Sequence, residues 1–114
     1  MPYIEAKLSI ELNDSQKNEL QIKLADAVSA SFSKPKSYIM TNIEDSKSLY
    51  MGGANVEKGA YIIVRSLGSI SKSQCQNASK EICNVLTTDY GLNGSNIYIT
   101  FHPVEFWGWN GSMF

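Results

Sequence analysis

The chain is short of most things that announce a function. Its 10 Lys and Arg nearly balance 11 Asp and Glu, leaving a formal net charge of -1. That gives no electrostatic reason to bind nucleic acid or an anionic membrane surface. No apolar run approaches the ~18 residues that span a bilayer. Glu5, Lys7 and Glu11 interrupt the N-terminus, so it lacks the apolar core of a secretory signal. A cytoplasmic location is the default expectation, and export would need a non-classical route. There is a single histidine, His102, with no Cys, Asp or second His at ligand spacing, so neither a metal nor another cofactor is expected. The only two cysteines, Cys75 and Cys83, stand eight apart on an expected helix, about 12 Å along its axis and too far for a disulfide. No Gly-rich phosphate loop or Ser–His–Asp pattern is present.

What remains is an ordinary globular composition, 43% hydrophobic and 18% charged over 114 residues, which argues against disorder and for one domain spanning 1–114. Pro2 to Ile10 alternates as a half-buried strand, with Ile4, Ala6, Leu8 and Ile10 on one side. Asn13 with Gln16 reads as a helix start, and the spacing predicts a helix over 14–32, stopped by Ser33-Lys34-Pro35. Tyr38–Ile43 reads as a second strand, and Gly52-Gly53 as a turn after a short extended piece at Leu49–Met51. The pattern then repeats. Ala60–Val64 is a buried strand; Ser71 with Gln74 opens a helix that Gly91 stops; Asn96–Phe101 alternates as a last strand.

The fold class expected is therefore α/β: a two-layer sandwich from two pseudo-repeated βαβ units of about 57 residues each. Right-handed crossovers make strands parallel within each unit and put both helices on one face of a four-stranded sheet. The other face has no helix to cover it. If apolar, it would be a large exposed patch, and self-association is the simplest cover.

Chemistry centres on Met1-Pro2-Tyr3. Methionine before a small residue is normally trimmed, which would leave Pro2 as a free secondary amine. An α-amino group titrates near ~7.7–8, and burial or a nearby cation lowers that further, making a general base at neutral pH. If Met1 stays, the Pro2 nitrogen is an amide with no lone pair to offer, and an inactive protein is expected. Proline at position 2 also has non-catalytic explanations, so other residues must support it. In a parallel strand pair the chain starts share one sheet edge, so Lys34 can approach Pro2, bind a carboxylate and depress the amine. From spacing alone, Lys34 is better explained as a cation at a helix C-terminus. Tyr98 points opposite to Ile97 and Ile99 and reads either as a phenol donor or as a plain strand tyrosine. Trp107 and Trp109 read as core, interface or pocket wall.

Taken together, Met1-Pro2, Lys34-Pro35-x-x-Tyr38-Ile39, Gly52-Gly53, Ser66-Leu67-Gly68, Asn96-Ile97-Tyr98-Ile99 and Gly108-Trp109-Asn110-Gly111-Ser112 follow a known order and spacing. The chain resembles the macrophage migration inhibitory factor and D-dopachrome tautomerase family of the tautomerase superfamily, over essentially its whole length. That resemblance implies a homotrimer whose sheets face a central channel and whose active sites lie between subunits. It implies keto–enol tautomerisation of phenylpyruvate-type acids, and of dopachrome-type substrates, with Pro2 as the proton carrier. Lys34 would hold the substrate carboxylate, the Leu67 backbone would contribute from the same subunit, and Tyr98 would come from the neighbour. Tyr38, Trp109 and Phe114 would stand near the pocket. The resemblance equally implies a different role, a cytokine-like protein released without a signal peptide that engages a cell-surface receptor. Three departures stand out. Thr100 replaces a family asparagine that contacts a ring hydroxyl. Gly59-Ala60-Tyr61-Ile62 replaces a Cys-x-x-Cys, so thiol redox activity is not expected. Trp107 replaces a small aliphatic residue and should narrow the pocket rim.

Overall fold

Strand β1, Pro2–Leu8, buries every second residue, with Ile4, Ala6 and Leu8 inaccessible to solvent. The computed structural model describes all of residues 1–114. The strand stops two residues short of the sequence expectation because Ser9 turns away; its hydroxyl donates to the Gly59 carbonyl at 3.2 Å. Helix α1 follows over Asp14–Phe32. Its start is a complete capping box: Gln16 N–H donates to Asn13 Oδ1 at 2.8 Å, and Asn13 N–H donates to Gln16 Oε1 at 2.9 Å. At its far end Ser33 adopts the left-handed region, φ 53, and the chain leaves through Lys34-Pro35.

Here the structure departs from the sequence reading. Tyr38 is not in a strand; Lys36–Tyr38 is a single 3-10 turn, closed by Tyr38 N–H to the Pro35 carbonyl at 3.2 Å. Pro35 fixes the chain in an extended conformation and the next three residues must turn it back into the sheet, so strand β2 begins only at Met40 and runs to Glu44. A two-residue hairpin, β3 (Tyr50–Met51) and β4 (Ala54–Asn55), is joined by Gly52 and Gly53 at φ 60 and 83. Both central residues at positive φ are what a tight hairpin turn requires, and glycine adopts that conformation at no steric cost.

The second unit repeats the first. Strand β5 (Ala60–Leu67) runs past Val64, helix α2 (Lys72–Tyr90) starts in a second capping box at Ser71 and Gln74, and β6 spans Ile97–Val104. The sheet order is β2-β1-β5-β6. β1 and β2 are parallel, β5 and β6 are parallel, and the two units meet antiparallel at β1–β5. Both helices pack on one face over a core that includes Leu20, Leu24, Val28, Ile62, Ile82 and Leu86, all fully buried. Phe32 from α1 meets Phe101 from β6 edge to face, ring centroids 6.1 Å apart, tying the first unit's helix to the second unit's outer strand. The tail folds back as a last hairpin, β7 (Gly108–Trp109) and β8 (Ser112–Met113).

The helix-free face, for which an apolar surface would have meant a large exposed patch, carries many polar groups. Tyr3, Glu5 and Lys7 of β1 stand beside Arg65, Ile63 and Tyr61 of β5, and these beside His102, Thr100 and Tyr98 of β6. Polar partners are already made there: Tyr3 Oη donates to Glu5 at 3.2 Å, and Thr100 Oγ1 lies 3.1 Å from Tyr61 Oη and 2.8 Å from His102 Nε2. Any surface that covers this face must match polar groups as well as exclude water.

Candidate active site at the start of the first strand

Pro2 opens β1 opposite Ser66 of β5, and its ring is fully buried. Met1 is attached ahead of it, and the Leu67 N–H donates to the Met1 carbonyl at 3.2 Å. The terminal amine of Met1 titrates below the ordinary α-amino value, first because burial penalises the ammonium form and second because the Lys34 ammonium repels it. The Met1 amine is therefore held toward its neutral form.

Around this terminus lies a cleft of about 660 Å³. Met1, Pro2 and Tyr3 form one wall, with Tyr38 and Met40 from the turn and β2 beside them. Trp107, Gly108 and Trp109 of the tail close the other side. The aromatic side of the cleft is placed by a hairpin whose turn residues Asn110 and Gly111 take φ 50 and 80.

The residues singled out from sequence divide into those brought together and those kept apart. Pro2, Tyr38 and Trp109 line the cleft, as does Trp107 at its rim. Phe114 is not in the lining but stacks on Trp109, ring centroids 5.8 Å apart, and its N–H donates to the Trp107 carbonyl at 3.1 Å. Lys34, half-buried and in no ion pair, does not line the cleft and acts on the terminus through its charge. Leu67 presents its backbone N–H directly at the terminus.

Tyr98 and Thr100 are elsewhere. Tyr98 is in register with Tyr61 and, across β5, with Lys7, five residues along β1 from Pro2. At ~3.3 Å per residue that is about 16 Å within one chain. Tyr98 is 62% exposed. Thr100 is occupied by Tyr61 and His102. Sequence reasoning passed over Arg65, which lines the cleft; the available signal was a lone cation interrupting the apolar run of β5 on its open face.

Comparison with known proteins identifies the family. The family described as macrophage migration inhibitory factor matches residues 1–114. The chain belongs to the macrophage migration inhibitory factor family. A Xenopus tropicalis macrophage migration inhibitory factor is 30% identical over 104 residues, 89% of each chain. A Gallus gallus D-dopachrome decarboxylase is 28% identical over 108 residues, covering 94% of this chain and 90% of its own. Among solved structures, a macrophage migration inhibitory factor-like protein from Entamoeba histolytica superposes with TM-score 0.89 at 28% identity, covering 99% and 98% of the two chains. A homologue from Prochlorococcus marinus gives 0.88 at 30% identity, covering 98% of each. The fold is that of the tautomerase superfamily, and the family is one of isomerases built on it.

Proposed function

We propose that this family member is a keto–enol tautomerase of phenylpyruvate-type acids, with Pro2, freed of Met1, as the base. The observation that carries the reading is the burial and charge at this end of β1: the Met1 amine, beside an aromatic cleft that Pro2 also lines, is held below its ordinary pKa by burial and by Lys34, and a Pro2 amine freed one residue further on would meet the same cation. A base of this kind is most effective near its own pKa, so lowering it toward neutrality suits the task. In the enolising direction the neutral amine takes a proton from the carbon beside the ketone. The electron pair moves into the new carbon–carbon double bond, the ketone oxygen takes a proton from water to become the enol hydroxyl, and the ammonium gives its proton back to water. In the reverse direction the same amine, as an ammonium, returns a proton to the carbon. Loss of Met1 also releases the Leu67 N–H from its carbonyl partner, leaving a donor beside the amine for a substrate oxygen. Lys34 holds the carboxylate, and Tyr38 with Trp109 flanks the ring.

Tyr98 completes the site from a neighbouring subunit, because about 16 Å of strand separates it from the Pro2 of its own chain. The assembly proposed is therefore a homotrimer whose polar open faces look inward. Dopachrome-type substrates are the second class to try, given the name of the avian relative, although Thr100 is already engaged with Tyr61 and His102. The direct test is phenylpyruvate tautomerisation by protein lacking Met1, against a Pro2→Gly variant. Loss of general-base catalysis should lower kcat/KM by about 100-fold or more. Equal rates in the two proteins would remove Pro2 from the mechanism.

A further inference from the structure

The cleft has one charged side chain in its lining, and it is Arg65 rather than Lys34. Arg65 is exposed, stands on the open face of β5 directly beside Tyr3, and follows Val64 into the residue that pairs with Pro2. Arg65 is in no ion pair, as Lys34, Lys58, Lys72 and Lys80 are also in none, but of these five cations only Arg65 lines the cleft. Its neighbours across the sheet, Tyr3 on one side and His102 on the other, supply no carboxylate. A guanidinium presents planar paired donors that match a carboxylate at two points, and it stacks on aromatic faces such as those of this cleft.

Two cations thus bear on this region from different segments: Lys34, just past α1, acts on the terminal amine through its charge, and Arg65 of β5 lines the cleft itself. A simple aryl 2-oxo acid carries one carboxylate and needs one of them. We infer that Arg65 is a specificity-determining residue that receives a second carboxylate, so that the preferred substrates are dianionic aryl 2-oxo acids bearing an acid group on or beyond the ring. The inference rests on the tautomerase reading for its reaction but on the cleft alone for its recognition step.

The test compares phenylpyruvate with 4-carboxyphenylpyruvate, and the unreactive pair cinnamate and 4-carboxycinnamate, in the Met1-free protein and in Arg65→Gln. A charge-assisted hydrogen-bond pair corresponds to a preference of about tenfold or more. The protein should therefore favour the dicarboxylate by at least about tenfold in kcat/KM, and bind the dicarboxylate cinnamate tighter by a similar factor. Both ratios should fall to about one in Arg65→Gln, and Arg65→Lys, which keeps the charge and loses the fork, should fall between. Ratios unchanged by Arg65→Gln, or a preference for the monoanion, overturn the inference. Turnover lost in Pro2→Gly while both ratios ignore Arg65 sinks the inference and leaves the tautomerase reading standing. Binding ratios that follow Arg65 in a protein without turnover do the reverse.

Discussion

The two βαβ units are built to one plan and put to different uses. Each begins its 19-residue helix with a capping box, and each ends it in a left-handed residue. In the second unit that residue is Gly91, at φ 68, where nothing crowds the position and the chain passes quietly into a 3-10 turn. In the first it is Ser33, at φ 53, followed at once by Lys34, Pro35 and the turn that carries Tyr38. The first unit's helix end is thus made of less comfortable residues and supplies the cleft's chemistry. The second unit provides β5, from which Leu67 and Arg65 face the terminus. Repetition supplies the scaffold, and the place where the repeat is least regular supplies the site.

The units also differ in how deeply their helices sit. α1 buries six residues and α2 three, and α1 reaches across to the far strand through Phe32 on Phe101. Removing that bridge should be the largest break in the comparison. Phe32→Ala is expected to cost about 3–5 kcal/mol, a large share of the ~5–15 kcal/mol that holds a domain together. Cys83→Ala on the half-buried side of α2 should stay below about 1 kcal/mol. Urea unfolding of the two variants, read by tryptophan fluorescence and circular dichroism, gives both numbers; comparable losses would mean the helices are equally anchored.

Next in size is Lys34→Gln. Because Lys34 lowers the terminal amine, its removal lets that pKa rise, so more of the amine is protonated at any pH below it. The acid limb of kcat/KM against pH should move to higher pH, and KM for a keto acid should rise about tenfold through loss of the carboxylate's partner. An unmoved limb would show that Lys34 serves only as a C-terminal helix cation, as Gly91's unit needs none.

The smallest effect separates the two helix ends themselves. A non-glycine residue in the left-handed region carries a cost of roughly 1 kcal/mol. Ser33→Gly should therefore stabilise by up to about that much, while Gly91→Ala, which meets no neighbour, should destabilise by about 1 kcal/mol through backbone conformation alone. Thermal midpoints moving in the same direction would dissolve the distinction.

Much of this was written in local sequence. Both capping boxes, both helix ends and the Gly52-Gly53 turn depend on residues within a few positions, and the paired βαβ order follows from handedness once the elements are placed. What depended on distant partners was less legible. Tyr38 had the look of a strand residue, and only the path forced by Pro35 puts it in a turn. The open face was expected to be bare of helices, but its polar bonding was not legible, because alternation shows which residues face away from the helices and not how they bond across strands, as Tyr61, Thr100 and His102 do. Arg65 was invisible as a cleft residue because its place beside the terminus is set by the β1–β5 register, between segments some sixty residues apart. Asn110-Gly111 carried a hairpin signal that fixes the aromatic wall, yet the tail around it had no strand-like alternation to draw attention to it.

The central claim concerns one nitrogen, and the most direct measurement is the rate of phenylpyruvate tautomerisation by matched preparations with and without Met1, their intact masses verified. With Met1 in place the Pro2 nitrogen is an amide and the Leu67 N–H is already bonded to the Met1 carbonyl. The account predicts activity only in the preparation lacking Met1. Equal activity in both would contradict it.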